Sequence, residues 1–309
     1  MREIVVISGK GGTGKTSLTA AFATLAAKSG SAVFADCDVD AADLHLVFSP
    51  TIRKRSEFIG GHVARVDPKR CISSGDDGSC AKCVELCRFD AIRHSYRSGC
   101  EVDEGSCEGC GVCVRFCPVG AIEFPARRCG EWYVSDTRFG ALVHAALDTR
   151  AENSGKLVTT VRKAAKQLAE DRNADWVIVD GSPGTGCPVI ASITGADSVV
   201  IVTEPTMSGQ HDLERVARLA RHFDIPFSVI VNKSDVNKSM AEAIESWCAR
   251  NGVPFLGAIP YDRAVTKAQI NGLSVIEYCE RERADPGCSG NTIADAIREI
   301  WERICQSKR

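Results

Sequence analysis

EIVVIS, residues 3–8, runs directly into GKGGTGKT, residues 9–16. Ile4, Val5, Val6 and Ile7 are β-branched and apolar at consecutive positions, the pattern of a strand buried on both faces of a parallel sheet. The next eight fit G-x-x-x-x-G-K-[ST], and the residues from 15 to 29 read as a helix. A glycine-rich turn between such a strand and such a helix wraps backbone N–H groups and a helix N-terminus around phosphate. Gly9, Gly11, Gly12 and Gly14 allow the tight backbone path, and Lys10, Thr13 and Ser17 complete the nucleotide-binding stretch. Lys15 is expected to reach the outer phosphates and Thr16 to offer its hydroxyl to Mg²⁺.

Outward from this loop the alternation continues. SAVFADCD (31–38), DWVIVDG (175–181), SVVIVTE (198–204) and FSVIVNK (227–233) are further short apolar runs, and helical stretches fall near 155–172, 208–223, 238–251 and 291–306. Strand-helix alternation of this kind implies right-handed βαβ units and an α/β fold with a doubly wound, mostly parallel sheet. The 309 residues are 44% hydrophobic and 25% charged, which excludes disorder, collagen and coiled coil. A formal net charge of −2 provides no overall basic field for nucleic acid or an anionic membrane. No apolar run approaches a spanning helix, and the chain enters β-like sequence straight from Met1-Arg2-Glu3, leaving no room for a signal peptide. The expectation is a cytoplasmic protein, in which 16 cysteines read as metal ligation or redox chemistry rather than disulfides.

Nine of those cysteines fall in the 47 residues from Cys71 to Cys117. With Arg53-Lys54-Arg55 near one seam and Arg127-Arg128 near the other, the expected division is a nucleotide-binding domain over 1–58 and 131–309, interrupted by an inserted domain over 59–130. Cys107-x2-Cys110-x2-Cys113-x3-Cys117-Pro118 has the spacing of a bacterial ferredoxin binding [4Fe–4S] clusters. An imperfect copy precedes it: Cys83-Val-Glu-Leu-Cys87-Arg-Phe-Asp-Ala-Ile returns 30 residues later as Cys113-Val-Arg-Phe-Cys117-Pro-Val-Gly-Ala-Ile. Completing the first copy gives Cys71-x8-Cys80-x2-Cys83-x3-Cys87, which departs from the pattern in its long ISSGDDGS spacer and in Arg88 where proline is usual. That spacer leaves a three-iron or degraded first site open. Four-cysteine zinc sites come as two separated pairs, whereas three evenly spaced cysteines with a distal fourth suit the corners of a cubane. Cys187, in a Gly-Cys-Pro sequence, stands apart from both copies.

The string GKGGTGKT, with its additional Lys10, resembles the deviant phosphate-binding loop of the MinD/ParA superfamily, which also includes the nitrogenase iron protein. Asp36-Cys37-Asp38-Val39-Asp40 resembles the first switch of that superfamily and VIVDGSPGTGCPV (177–189) its third strand and second switch. ENSGKLV (152–158) and TEPTMSGQHDLERV (203–216) extend the likeness. The resemblance implies that Lys10 reaches a partner's nucleotide in an ATP-dependent homodimer. Asp38 would position the attacking water, Asp180 would act in the Mg²⁺ shell, and Gly181 would lie near the γ-phosphate. Asn232, in Asn-Lys-Ser-Asp, would read adenine, although many GTPases use N-K-x-D for guanine.

By the same resemblance Cys71, Cys80, Cys83 and Cys117 hold one cluster, and Cys107, Cys110, Cys113 and Cys87 the other. The whole chain then resembles superfamily ATPases carrying an inserted, ferredoxin-like α+β domain with two [4Fe–4S] clusters. Three functions follow: ATP hydrolysis coupled to electron transfer toward a redox partner, ATP-dependent metallocluster assembly on a client, or spatial organisation on a membrane through a terminal helix. For the last, Ile293, Ala294, Ile297, Ile300, Trp301 and Ile304 form an apolar stripe before Lys308-Arg309, but a helix packed on the sheet accounts for the same stripe.

Overall fold

The computed structural model describes residues 1–73, 80–95, 99–148, 154–283 and 292–306. Residues 74–79 of the long spacer, 152–153 of ENSGKLV and the final Lys308-Arg309 lie outside them. The chain divides into two compact units, one of Met1–Ser56, Trp132–Ala146 and Ser154–Arg309, the other of Glu57–Glu131 and Leu147–Asn153.

The chain opens with β1 (Arg2–Ser8), α1 (Lys15–Ser29), β2 (Ala32–Asp36), α2 (Leu44–Phe48) and β3 (Thr51–His62). The second unit contributes β4 (Arg65–Val66), α3 (Lys82–Leu86), β5 (Ile92–Ser95), β6 (Gly99–Val102), α4 (Val112–Phe116) and β7 (Ile122–Glu123). After β8 (Ala126–Thr137) and β9 (Gly140–Leu147), α5 (Ser154–Asp171), β10 (Trp176–Pro183), α6 (Cys187–Ile193), β11 (Ser198–Thr203) and α7 (Met207–His222) follow. The chain closes with β12 (Phe227–Asn232), α8 (Lys238–Arg250), β13 (Phe255–Ile259), α9 (Arg263–Ile270), α10 (Val275–Arg283) and α11 (Thr292–Gln306).

The main sheet has the order β13-β12-β11-β1-β10-β2-β9-β8-β3. Every pair from β13 to β9 is parallel. Its central strands are apolar on both faces because helices cover both: Ile4–Ile7, Val177–Val179, Val199–Val202 and Val229–Val231 are all buried. Only two residues separate β8 from β9, so these strands form an antiparallel hairpin, since a parallel return needs a long crossover. The boundary between the two units falls within β3 and within β8. The apolar stripe of α11 is turned inward: all six of its residues are buried, and Trp301 stacks on Phe22 of α1 and tilts against Trp176 of β10. Among the described residues no helix is long and apolar enough to cross a membrane.

The second unit is internally duplicated. Val66 of β4 pairs with Ile122 of β7, and Val102 of β6 pairs with Ile92 of β5, both antiparallel. Helices α3 and α4 each end at a cysteine, Cys87 and Cys117, followed by a turn with Asp90 or Gly120 at positive φ and then a buried Ala-Ile pair. The likeness extends upstream beyond the cysteine repeat. The N–H of Asp67 donates to the Ala121 carbonyl as that of Asp103 does to Ala91, and each aspartate carboxylate accepts from the N–H two residues on, Lys69 or Gly105. RVDPKRC (65–71) therefore matches EVDEGSC (101–107), 36 residues apart rather than 30, the difference being the long spacer.

Candidate nucleotide site and cysteine cavities

At the C-terminal edge of β1 the chain enters its glycine loop, with Gly12 and Gly14 at positive φ, a conformation that costs an L side chain strain. The loop lines a cavity of about 490 Å³ with Gly11, Gly12, Thr13, Gly14, Lys15, Thr16 and Ser17. Asp38, Asn232, Tyr261 and Gln269 are among the residues closing its other walls. Parallel strands present ligands at this end of a doubly wound sheet.

One carboxylate organises the floor. Asp180 accepts from Lys15 Nζ at 2.9 Å, from Thr16 Oγ1 at 2.7 Å and from Thr19 Oγ1 at 3.0 Å. Asp38 approaches the same ammonium at 3.4 Å. Burial pushes the Lys15 pKa down, but Asp180 and Asp38 outweigh it and leave it above its ordinary value. Burial also lifts the Asp38 carboxyl, against the pull of Lys15. Asp36, fully buried, is raised well above the carboxylate range by burial and then by Asp180. It accepts from the N–H groups of Asp38 and Leu44, so it shapes the loop that carries Asp38. Asp180 and Asp38 thus face one ammonium, a charge balance suited to a divalent cation. The Thr13 hydroxyl, 2% exposed, makes no hydrogen bond within the protein, an orphaned polar group facing the same requirement for a ligand.

The remaining expected residues lie around this floor in different ways. Lys10 does not line the cavity: it pairs with Glu204 at 2.5 Å and donates to Ser208 Oγ at 3.0 Å. Glu204 also pairs with Lys233 at 3.4 Å, and the two lysines outweigh its burial and hold its carboxyl below the usual range. Asn232 lines the cavity, yet its amide donates to the Thr13 carbonyl at 2.8 Å, and Lys233 Nζ donates to Gly12 O at 2.9 Å. Gly9 lies against Asp212 of α7, and Gly181 packs on β1, where a Cβ would stand 2.6 Å from Ile7 Cγ2; neither lines the cavity. Ser17 accepts from Gln269 at 3.0 Å. The sequence does not single out Thr19, Glu204 or Ser208, and it shows Lys233 only as part of the Asn-Lys-Ser-Asp string. Thr19 follows Lys15 by one helical turn, which is the signal that would have found it.

In the second unit the cysteines gather around two small cavities. Cys71, Cys80, Cys83 and Cys117 line the first, of about 20 Å³, together with Cys100; Cys87, Cys107, Cys110 and Cys113 line the second, also of about 20 Å³. Each cavity takes three cysteines from one copy of the repeat and one from the other. The remaining wall is mainly apolar, with Val66, Ile72, Val119 and Ile122 in the first and Leu86, Phe89, Ile92 and Phe124 in the second. The Ala121 N–H donates to Cys117 Sγ at 3.2 Å. Burial raises the Cys83 thiol to about 12 and also raises Cys113. Among the described residues no three His, Cys, Asp or Glu side chains converge on a point for one metal ion. The cysteines surround a space instead. Cys187 is exposed and belongs to neither cavity.

The family model of the CobQ/CobB/MinD/ParA nucleotide binding domain matches residues 4–275. An uncharacterized protein of Methanocaldococcus jannaschii is 29% identical over 304 residues, covering 98% of this chain and 96% of that one. The iron-sulfur cluster carrier protein of Pyrococcus abyssi is 28% identical over 168 residues, 48% of this chain and 52% of the carrier. Among solved structures, the septum site-determining protein MinD of Pyrococcus horikoshii complexed with Mg-ADP superposes with a TM-score of 0.56 at 17% identity, covering 99% of this chain and 96% of that chain.

Proposed function

The chain belongs to the CobQ/CobB/MinD/ParA nucleotide-binding family, and from that premise we propose that it is an ATP-dependent iron–sulfur protein coupling nucleotide hydrolysis to electron transfer through two [4Fe–4S] clusters. The observation that carries this reading is the pair of matched cysteine cavities. Each offers four repeat-derived thiols, with Cys100 as a fifth in the first, around a mainly apolar space, a donor set and a polarity suited to a cubane. A four-cysteine zinc site would come as two separated pairs, whereas each cavity here draws three cysteines from one copy of the repeat and a distal one from the other.

At the nucleotide, Lys15 binds the outer phosphates of ATP and Asp38 orients water toward the terminal one. Thr16 and Asp180 would hold the Mg²⁺ that neutralises charge developing on those phosphates. Lys10, held by Glu204 and Ser208 within the chain, would exchange them for the nucleotide of a second copy in an ATP-bound homodimer. The clusters would supply one-electron storage at the cysteine cavities. A redox partner completes the reading.

A second reading, delivery of a cluster to a client, is favoured by relatives, matched over about half of their length, that carry the name iron-sulfur cluster carrier protein. One experiment separates the two. Protein purified anaerobically is expected to hold roughly eight iron and eight sulfide per chain, as two cubanes require. Iron retained through ATP turnover, with dithionite-reduced clusters reoxidised faster by an acceptor protein when ATP is present, supports electron transfer. Iron passing to an apo-acceptor during turnover supports delivery. Zinc without iron–sulfur absorption overturns both.

A further inference from the structure

The two cavities of the second unit correspond residue for residue, with one informative exception. Cys71 corresponds to Cys107, Cys80 to Cys110, Cys83 to Cys113 and Cys117 to Cys87, and the walls match as Ala121 to Ala91 and Ile122 to Ile92. The strand leading into each copy also correspond, since Val66 and Val102 make the same antiparallel pairing with Ile122 and Ile92. Two residues before that valine the second cavity is lined by Ala64, 1% exposed, and the first by Cys100, 3% exposed. The first cavity therefore has five sulfurs where its counterpart has four sulfurs and a methyl group.

Cys100 is placed to use its sulfur. Its thiol shares side-chain hydrogen bonds with Cys83 and Cys71, two of the four thiols proposed as ligands. The Ser73 hydroxyl is buried beside it. Cys100 sits on β6, paired with His94 of β5, so its backbone is held while its side chain faces the cavity.

We propose that Cys100 is an exchangeable fifth ligand of the first site, able to take the place of Cys83 on the same iron. The inference rests on reading the first cavity as an iron–sulfur site. In the exchange the iron–Cys83 sulfur bond breaks as an iron–Cys100 sulfur bond forms, and the Cys100 proton passes to the released Cys83 sulfur. No electron moves, and the cluster keeps four thiolates throughout. The second site, with Ala64 in the corresponding place, has no such reserve.

The test compares anaerobically prepared wild type, Cys83→Ala, Cys100→Ala, the Cys83→Ala/Cys100→Ala double variant and Cys113→Ala, using iron and sulfide analysis and EPR of the oxidised and reduced protein. Wild type, Cys83→Ala and Cys100→Ala should each retain the iron of two cubanes, roughly eight atoms. The double variant should lose the first cluster or show the oxidised signal of a three-iron cluster. Cys113→Ala should fail at the second site in the same way, because alanine stands where a spare sulfur would be needed. Cys83→Ala that loses as much iron as the double variant, or a double variant that keeps everything, overturns the exchange. The second cluster serves as an internal measure of folding in the Cys83 and Cys100 variants. Wild type with no iron would overturn the iron–sulfur reading as well, and so is distinguished from failure of the exchange alone.

Discussion

At the residue scale, Lys15 balances the charge of a buried acidic floor and, in the proposed function, also contacts the outer phosphates. Lys15→Ala should reduce ATP turnover by about 10²–10³-fold, the usual loss when one preorganised donor to a developing charge is removed. Iron content should be unchanged, which steady-state turnover and metal analysis on one preparation will check. Lys10→Ala should act differently, because Lys10 lies outside the cavity lining and is engaged by Glu204 and Ser208. Nucleotide affinity, measured by titration calorimetry, should stay within about twofold of wild type, since no cavity-lining charge is lost. ATP-dependent dimerisation, followed by sedimentation, should be lost; a Lys10→Ala protein that dimerises and turns over normally overturns the role proposed for this lysine.

At the scale of elements, α11 closes the core through Trp301, packed on Phe22 and Trp176. Trp301→Ala should destabilise the protein by about 3–5 kcal/mol, as large aromatic truncations in a core do, read as a lowered denaturation midpoint. The β8–β9 hairpin adds a pH dependence. His144, 9% exposed and within 2.9 Å of Ser135 Oγ, has its pKa lowered to about 4, mainly by burial. The unfolded chain, with an ordinary histidine near 6.5, binds the proton more readily. Stability from this group is therefore full above about pH 6.5 and is lost as pH falls toward 4, amounting to about 2–3 kcal/mol. His144→Gln, which keeps a polar partner for Ser135, should flatten that part of the stability profile in urea titrations between pH 7 and 4. These elements also mark what the sequence disclosed. β1, β2, β10, β11 and β12 were legible because burial on both faces leaves unbroken apolar runs. β3 was not, since TIRKRSEFIGGH lies at the sheet edge and is mostly exposed. Nor was β13, where Gly257 interrupts a five-residue strand. Spacing picks out eight of the cavity cysteines and the resemblance divides them into two sets, but neither discloses Cys100 or its match with Ala64. The long spacer changes the repeat offset from 30 to 36 residues, and only the paired strands reveal the second value.

At the scale of the whole molecule, the proposed coupling of nucleotide and clusters has a thermodynamic signature. If ATP binding alters the equilibrium of a cluster, reduction must alter ATP affinity by the same free energy. A coupling of about 1–3 kcal/mol corresponds to roughly 40–130 mV for a one-electron centre. Redox titrations with and without a non-hydrolysable ATP analogue should differ by that amount, with matching changes in nucleotide affinity. Coincident potentials and equal affinities would remove the coupling. The neighbouring strands β3 and β8 have a consequence of another kind. Arg53 pairs with Asp136 at 2.7 Å and Arg55 lies over Tyr133, so β3 and β8 run side by side where the chain passes Ser56 and Trp132. The cysteine-rich stretch is thus spliced into the tip of a hairpin, where an excision from Glu57 to Glu131 needs only a short Asn-Gly turn to rejoin the chain. Such a splice leaves the strand order of the host sheet unchanged, so the same stretch can be engineered into another hairpin.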